Sequence, residues 1–364
     1  MKVKDIAKTL QQWAPIAYQE SYDNSGLLVG SMDTEIESIS ITLDVTEAVI
    51  DEAISTGANL IVAHHPLIFK GIKSLTGNHW VERCIIKAIK HDIAIYAIHT
   101  NLDNVNSGVN HKITELIGLE HVSILSPKKS TLTKLVTFVP KKDAEKVRKS
   151  LFEAGAGEIG KYDHCSFTTE GTGSFRPGNE ANPAVGVVHK DEQVNEDRIE
   201  VIFPNHLSSQ VISGLQNAHP YEEVAYFLTD LKNINQEVGA GMIGQLPKPM
   251  STELFLNKLK KDMGLNVIKH TKLCKPSIKS VAVCGGSGSF LLSTARAKGA
   301  DIFITGDFKH HEFFEADEQI IITDIGHYES EVFTKDLIYD FLREKFANIA
   351  LRLSEVNTNP INYL

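Results

Sequence analysis

His64 and His65 stand side by side in "VAHHPLIFKG", at the end of an apolar run, and His327 and Glu331 stand four residues apart in "GHYESE". An i,i+4 pair at the start of a helix puts both side chains on one face, about one turn apart. Imidazole nitrogen combined with carboxylate oxygen suits Zn, Mn, Fe or Co, whereas an all-oxygen set would suit Mg or Ca. His99 and Asp103 in "IHTNLD", and Asp307, His310 and His311 in "TGDFKHH", add further donors. Together they outnumber the needs of one ion, which points to a two-metal site with a carboxylate as bridge. Adjacent histidines diverge in an extended chain, so His64 and His65 can share one cluster only if the backbone turns there. Pro66 biases it to do so.

These donors must be delivered by strand ends, because loops converge beyond the carboxyl ends of strands in parallel α/β sheets. The first third of the chain alternates short β-branched runs (ESISITLD, ANLIVAH, DIAIYAIHT) with amphipathic stretches such as HWVERCIIKAIK. The last third repeats the pattern with KSVAVCGGSG, SFLLSTARAKG, ADIFITGD, HHEFFEAD and EQIIITDIGH. The expectation is an α/β domain of two βα halves with a mostly parallel sheet. Between the halves, TKLVTFVP, AEKVRKSLFEAG, KYDHCSFTTEG, DRIEVIFP, HLSSQVISGLQNA and EEVAYFLTDL read as βαββαβ, a ferredoxin-like α+β order. GTGSFRPGNEANPAVG within it reads as a long loop or small hairpin. The domains are therefore placed at 1–127 with 236–364 for the outer, discontinuous metal-binding domain, and 128–235 for the insert.

Bulk properties bound the function. The 364 residues suffice for two cores, and 42% hydrophobic with 23% charged residues is ordinary for a globular protein. A formal charge of −9 argues against a nucleic-acid duplex as partner, since phosphate neutralisation needs clustered Lys and Arg. The N-terminus lacks a signal-peptide core and no run is long enough for a spanning helix, so a cytoplasmic location without membrane attachment is expected. Cys84, Cys165, Cys274 and Cys284 form no C-x-x-C pair, so any metal must be held by nitrogen and oxygen.

Other stretches carry less. "GGSGSF" (285–290) follows a strand but lacks the full dinucleotide-loop spacing, and reads as a tight turn near the site, with backbone N–H groups able to hold a phosphate. "HPYEEVAY" (219–226) reads as the structural start of a strand in the insert, or as a subunit contact. His164 and Cys165 are neighbours on a strand and diverge. Asp23, Asn24 and Gly26 in "SYDNSGLLVG" read as an Asx turn entering a strand.

The motifs "SYDNSGLLVG", "AHHPLIFKG", "HTNLD", "GGSG", "TGDFKHH" and "GHYESE", in this order and over essentially the whole chain, resemble the GTP cyclohydrolase 1 type 2 homologues, the Nif-three-like dinuclear metal-binding family. The insert looks like that of the longer bacterial members. The resemblance implies two divalent transition-metal ions (Zn, Fe or Mn) held by His64, His65, Asp103, His327 and Glu331, with Glu331 bridging. Asn24, His99, Asp307 and His311 would line the pocket or support the ligands, and Tyr22 stands where many relatives have Trp. It further implies a homohexamer and a nucleotide as nominal substrate. The expected function is a hydrolase acting through metal-activated water, with His99 or His311 moving protons. The alternatives are a non-catalytic metal-binding, metal-delivery or regulatory protein, and a metal-free nucleotide-binding regulator using GGSG.

Overall fold

The computed structural model describes residues 1–364, which separate into two compact units, Met1–Pro127 with Gln236–Leu364, and Lys128–Asn235. In chain order the strands are β1 (Gly26–Val29), β2 (Ser38–Thr42), β3 (Leu60–Ala63), β4 (Ala94–Ala97), β5 (Glu120–Pro127), β6 (Leu132–Pro140), β7 (Phe167–Phe175) and β8 (Glu192–Pro204). They continue with β9 (Tyr226–Asp230), β10 (Gly239–Ser251), β11 (Lys269–His270), β12 (Ser277–Ser287), β13 (Ile302–Gly306), β14 (Ile321–Asp324) and β15 (Ala350–Leu353).

The first unit holds two mixed sheets where one mostly parallel sheet was expected. One has the order β1-β4-β3-β2-β15 and the other β11-β14-β13-β12-β10-β5. Strands joined through crossover helices pair in parallel: β2 with β3, β3 with β4, β12 with β13 and β13 with β14. β1, β5, β10 and β11 are not reached by such crossovers, and they pair antiparallel with their neighbours. The central strands LIVA (β3), AIYA (β4) and IITD (β14) are buried throughout, which is why they read as continuous apolar runs. Each fully buried Leu, Ile or Val in them is worth about 1.5–3 kcal/mol relative to exposure.

Helix boundaries follow local chemistry. Thr46 caps Glu47–Thr56 by accepting from the Val49 amide at 3.3 Å, and Gly57 closes it with φ of +71°. HHEFFEAD forms a 3₁₀ turn over His310–Ala316, and SFLLSTARAKG divides into a 3₁₀ turn and the short helix Leu292–Ala297. No helix is long and apolar enough to cross a membrane.

The second unit is a four-stranded antiparallel sheet of order β7-β8-β6-β9. One face buries Leu135, Ile199, Val201 and Phe203 in a core shared with the helices Ala144–Glu153 and Ser208–Ala218. β7 extends through Gly171–Phe175, so the expected loop begins later, at Arg176. "HPYEE" precedes β9 as a bend, in which the Tyr221 hydroxyl donates to Glu196 at 2.9 Å.

Candidate metal centre

Five strand ends of the first unit converge on one cluster. β2 delivers Asp44, β3 delivers His64 and His65, and β4 leads into the helical turn Thr100–Asp103, with His99 just before it. β13 delivers Asp307, and β14 leads to the short helix His327–Glu331. The backbone amides of His64 and His65 donate to the carbonyls of Thr42 and Leu43, extending the ladder past β3, and the chain then bends before Pro66. The two rings consequently lie 4.9 Å apart, centre to centre.

Every histidine of the cluster is tethered through Nδ1. That of His64 faces the Ile98 carbonyl at 2.8 Å, that of His65 faces Asp44 at 2.7 Å, that of His99 faces Asp23 at 2.8 Å and that of His327 faces Asp307 at 2.7 Å. An acceptor at Nδ1 fixes a proton there and makes Nε2 the nitrogen that can offer its lone pair to a metal, which is how metal-ligating histidines are oriented. Asp307 takes its position from a left-handed backbone, φ +59°, rare for a residue with a side chain.

The opposite edges point at carboxylates. Glu331, only 3% exposed, has Oε2 at 2.9 Å from His65 Nε2 and 3.1 Å from His327 Nε2, while His64 Nε2 lies 3.9 Å from its Oε1 and 3.6 Å from Asp103 Oδ1. His64 Nε2 and Asp103 Oδ1 are both buried and neither has a hydrogen-bond partner. Buried polar atoms are almost always satisfied, so two orphans facing each other mark a place built for something else. Three groups of donors could hold a metal ion: His64, His65 and His99; His65, His327 and Glu331; and His64, Asp103 and Glu331. They overlap through His64, His65 and Glu331. The donor set of imidazole and carboxylate fits borderline transition metals.

The charges agree. Burial alone would raise Glu331, but hydrogen bonds from His327 and His65 hold it well below the ordinary carboxylate range. Burial and the nearby Glu331 charge push Asp103 up to about 7. Burial would lower His65 and His327, yet the carboxylates on either side of each ring push them up to about 10 and about 11. In the metal-free protein, protons on these rings therefore supply the positive charge that the carboxylates demand.

Of the residues singled out from sequence, His64, His65, Asp103, His327 and Glu331 come together, His99 joins them as a donor, and Asp307 supports His327. Three do not join. Asn24 turns its amide to the Ile68 carbonyl, and its neighbour Asp23 contacts the cluster instead. His310 and His311 lie on the 3₁₀ turn His310–Ala316, their rings beside each other and beside Phe314, and neither lines the cavity over the cluster. Sequence reasoning also missed Asp44. It ends the apolar run ESISITLD, so the strand-end rule that found the histidines reaches it too.

In GGSG the two leading glycine amides are taken by side chains rather than left open to a phosphate. The Gly285 amide is bound to Asn110 Oδ1 and the Gly286 amide to Ser330 Oγ, both at 2.9 Å. Gly286 has φ of +59°, and a Cβ there would come within 2.4 Å of Glu331 Oε1. Above the cluster opens a cavity of about 440 Å³ lined by Tyr22, Phe69 and Phe290 along with His65, His99, Asp103, His327 and Glu331. The three aromatic rings are 62%, 46% and 67% exposed.

The family model described as Duf34/NIF3 (NGG1p interacting factor 3) matches residues 1–360. A Bacillus subtilis protein named GTP cyclohydrolase 1 type 2 homolog is 37% identical over 366 residues, covering 99% of this chain and 98% of its own length. Among solved structures, a Bacillus cereus protein related to NIF3 superposes with TM-score 0.89 at 37% identity, over 100% of this chain and 99% of that one. A Staphylococcus aureus protein superposes with TM-score 0.80 at 32% identity over the same shares. By full-length match to the family model and to these relatives, the chain belongs to the DUF34/NIF3 family.

Proposed function

We propose that the chain is a two-metal hydrolase of a small molecule carrying a flat ring, a nucleotide being the nominal case, with its site in the outer of two domains and a ferredoxin-like insert at 128–235. The observation that carries this reading is the pair of orphaned buried donors, His64 Nε2 and Asp103 Oδ1, within overlapping triads that share Glu331. One ion would be held by His64, Asp103 and Glu331 and the other by His65, His327 and Glu331, leaving His99 beside both rings, 5.3 Å from the centres of His64 and His65. When bound, two divalent cations such as Zn, Fe or Mn supply Lewis acidity and make water nucleophilic near neutral pH.

The chain's own groups do the rest. The Asp23–His99 pair at the cavity wall has the geometry of a tethered proton carrier, and Asp44, Asp307 and the Ile98 carbonyl hold the other rings in place. Exposed Tyr22, Phe69 and Phe290 offer faces against which a heteroaromatic ring can stack. The relative's name as a GTP cyclohydrolase 1 type 2 homolog is compatible with such a substrate. For the insert, the βαββαβ order with strands arranged β7-β8-β6-β9 supports the ferredoxin-like reading.

Freshly purified protein should contain close to two transition-metal ions per chain. Metal-loaded protein is then incubated with nucleotides and phosphoesters beside Glu331→Ala, whose turnover should vanish. Turnover that survives the loss of Glu331 counts against this site as its source. Metal content with no turnover, together with transfer of metal to an apo-acceptor, turns the reading to delivery.

A further inference from the structure

The chain does not end at β15. Beyond it Ser354 continues the ladder, its amide donating to the Ile41 carbonyl at 2.8 Å, and Lys335 Nζ binds the Ser354 carbonyl at 3.1 Å. Val356 packs on the core under β3 and the helix Glu47–Thr56. The chain then passes over the ligand-bearing strand ends. Thr358 Oγ1 donates to Asp44 Oδ2 at 2.7 Å, while Asp44 Oδ1 accepts from His65 Nδ1. The next residue, Asn359, donates from Nδ2 to Glu329 Oε1 at 2.9 Å, and Glu329 sits on the helix that carries His327 and Glu331.

Two consecutive side chains thus tie the rim of the five-stranded sheet to the rim of the six-stranded sheet. A carboxylate behind a ligating histidine orients the ring only if the carboxylate is itself held. Asp44 is about one-third exposed at its side chain, so without Thr358 one oxygen would be free to turn toward solvent.

We propose that the C-terminal segment Asn357–Asn359 is a strap that sets metal retention at this centre, with Thr358 positioning His65 through Asp44 and Asn359 positioning the His327–Glu331 helix through Glu329. The proposal rests on the metal-hydrolase reading of the site. It assigns the tail a role in holding the ions and none in touching substrate.

The full-length chain is stripped with chelator, loaded with Co²⁺ alone, and followed by its visible absorption, then by the rate at which excess chelator removes the ion. Thr358→Val and Asn359→Ala should release Co²⁺ about tenfold faster and alter the absorption band, in line with the effect of disturbing a ligand's hydrogen-bonded support. Thr358→Ser, which keeps the hydroxyl, should restore both. Metal-free melting temperatures that match the wild type show that the fold is not the cause. Failure of the wild type to take up Co²⁺ overturns the metal reading itself. Uptake with equal release rates and spectra in wild type and both variants overturns the strap while leaving the metal centre standing.

Discussion

On the two-metal reading proposed above, His65 and His327 exchange two occupants, a proton and a metal ion. Their values of about 10 and about 11 in the metal-free protein lie above the ordinary 6.5. A group whose folded value is raised contributes stability that is complete below the unfolded value and is lost as pH rises through the folded one. Metal-free protein should therefore melt at falling temperature from pH 6.5 toward pH 10, and Asp103, raised from 3.8 to about 7, acts in the same direction at lower pH, its effect complete once pH passes about 7. Metal capture runs the other way, because each ring must release its proton to bind. Thermal melts of chelator-treated and Zn²⁺-loaded protein across this range test both signs, and a dye assay should register protons released on loading. Melting curves independent of pH would refute the protonated cluster. The histidines and carboxylates of the cluster were legible in sequence, because strand-end position and residue type suffice to nominate them as candidate donors. The supports were harder: Asp23 rather than its neighbour Asn24 reaches His99, a choice made by tertiary placement and not by local chemistry.

At the scale of elements, the end of β12 is shaped around a side chain from another segment. Gly286 leaves room for Glu331, and a Cβ there would also approach His327 Cε1 to 3.2 Å. Gly286→Ala should displace the Glu331 carboxylate and weaken metal binding by about tenfold or more, read by competition with a chelator, while its left-handed backbone adds strain to the metal-free fold. Unchanged affinity would mean that Glu331 does not hold the ions. The central strands were readable because burial on both faces makes them uniformly apolar. That they divide between two sheets was not, since pairing partners are chosen by long-range packing that periodicity does not encode. Likewise the segment ALRL, which alternates between partial and full exposure, joins the edge beside β2 from the far end of the chain.

On the scale of the molecule, the insert's sheet leaves one face without helices. Phe167, Glu200, Val136 and Phe227 stand in one register row across it, and both phenylalanines are more than 60% exposed. Isolated apolar side chains at a surface are common, but two large rings in one row favour association. The homohexamer that the resemblance implies is tested by light scattering, where six times the chain mass would bear it out and a single chain mass would refute it. Phe167→Ser with Phe227→Ser should lower that mass if this row takes part.

The two points at which the polypeptide leaves and rejoins the outer unit are neighbours: Pro127 on β5 stands opposite Gly239 on β10 in an antiparallel pair. To the flanking strands, everything between them is the loop of a hairpin, and a folded domain whose own ends are neighbours, as Thr133 and Asp230 are, spans that gap without the closure cost of a flexible loop of its length. Replacing the 108 residues from Lys128 to Asn235 by a short turn should accordingly leave intact the register that brings the histidines together.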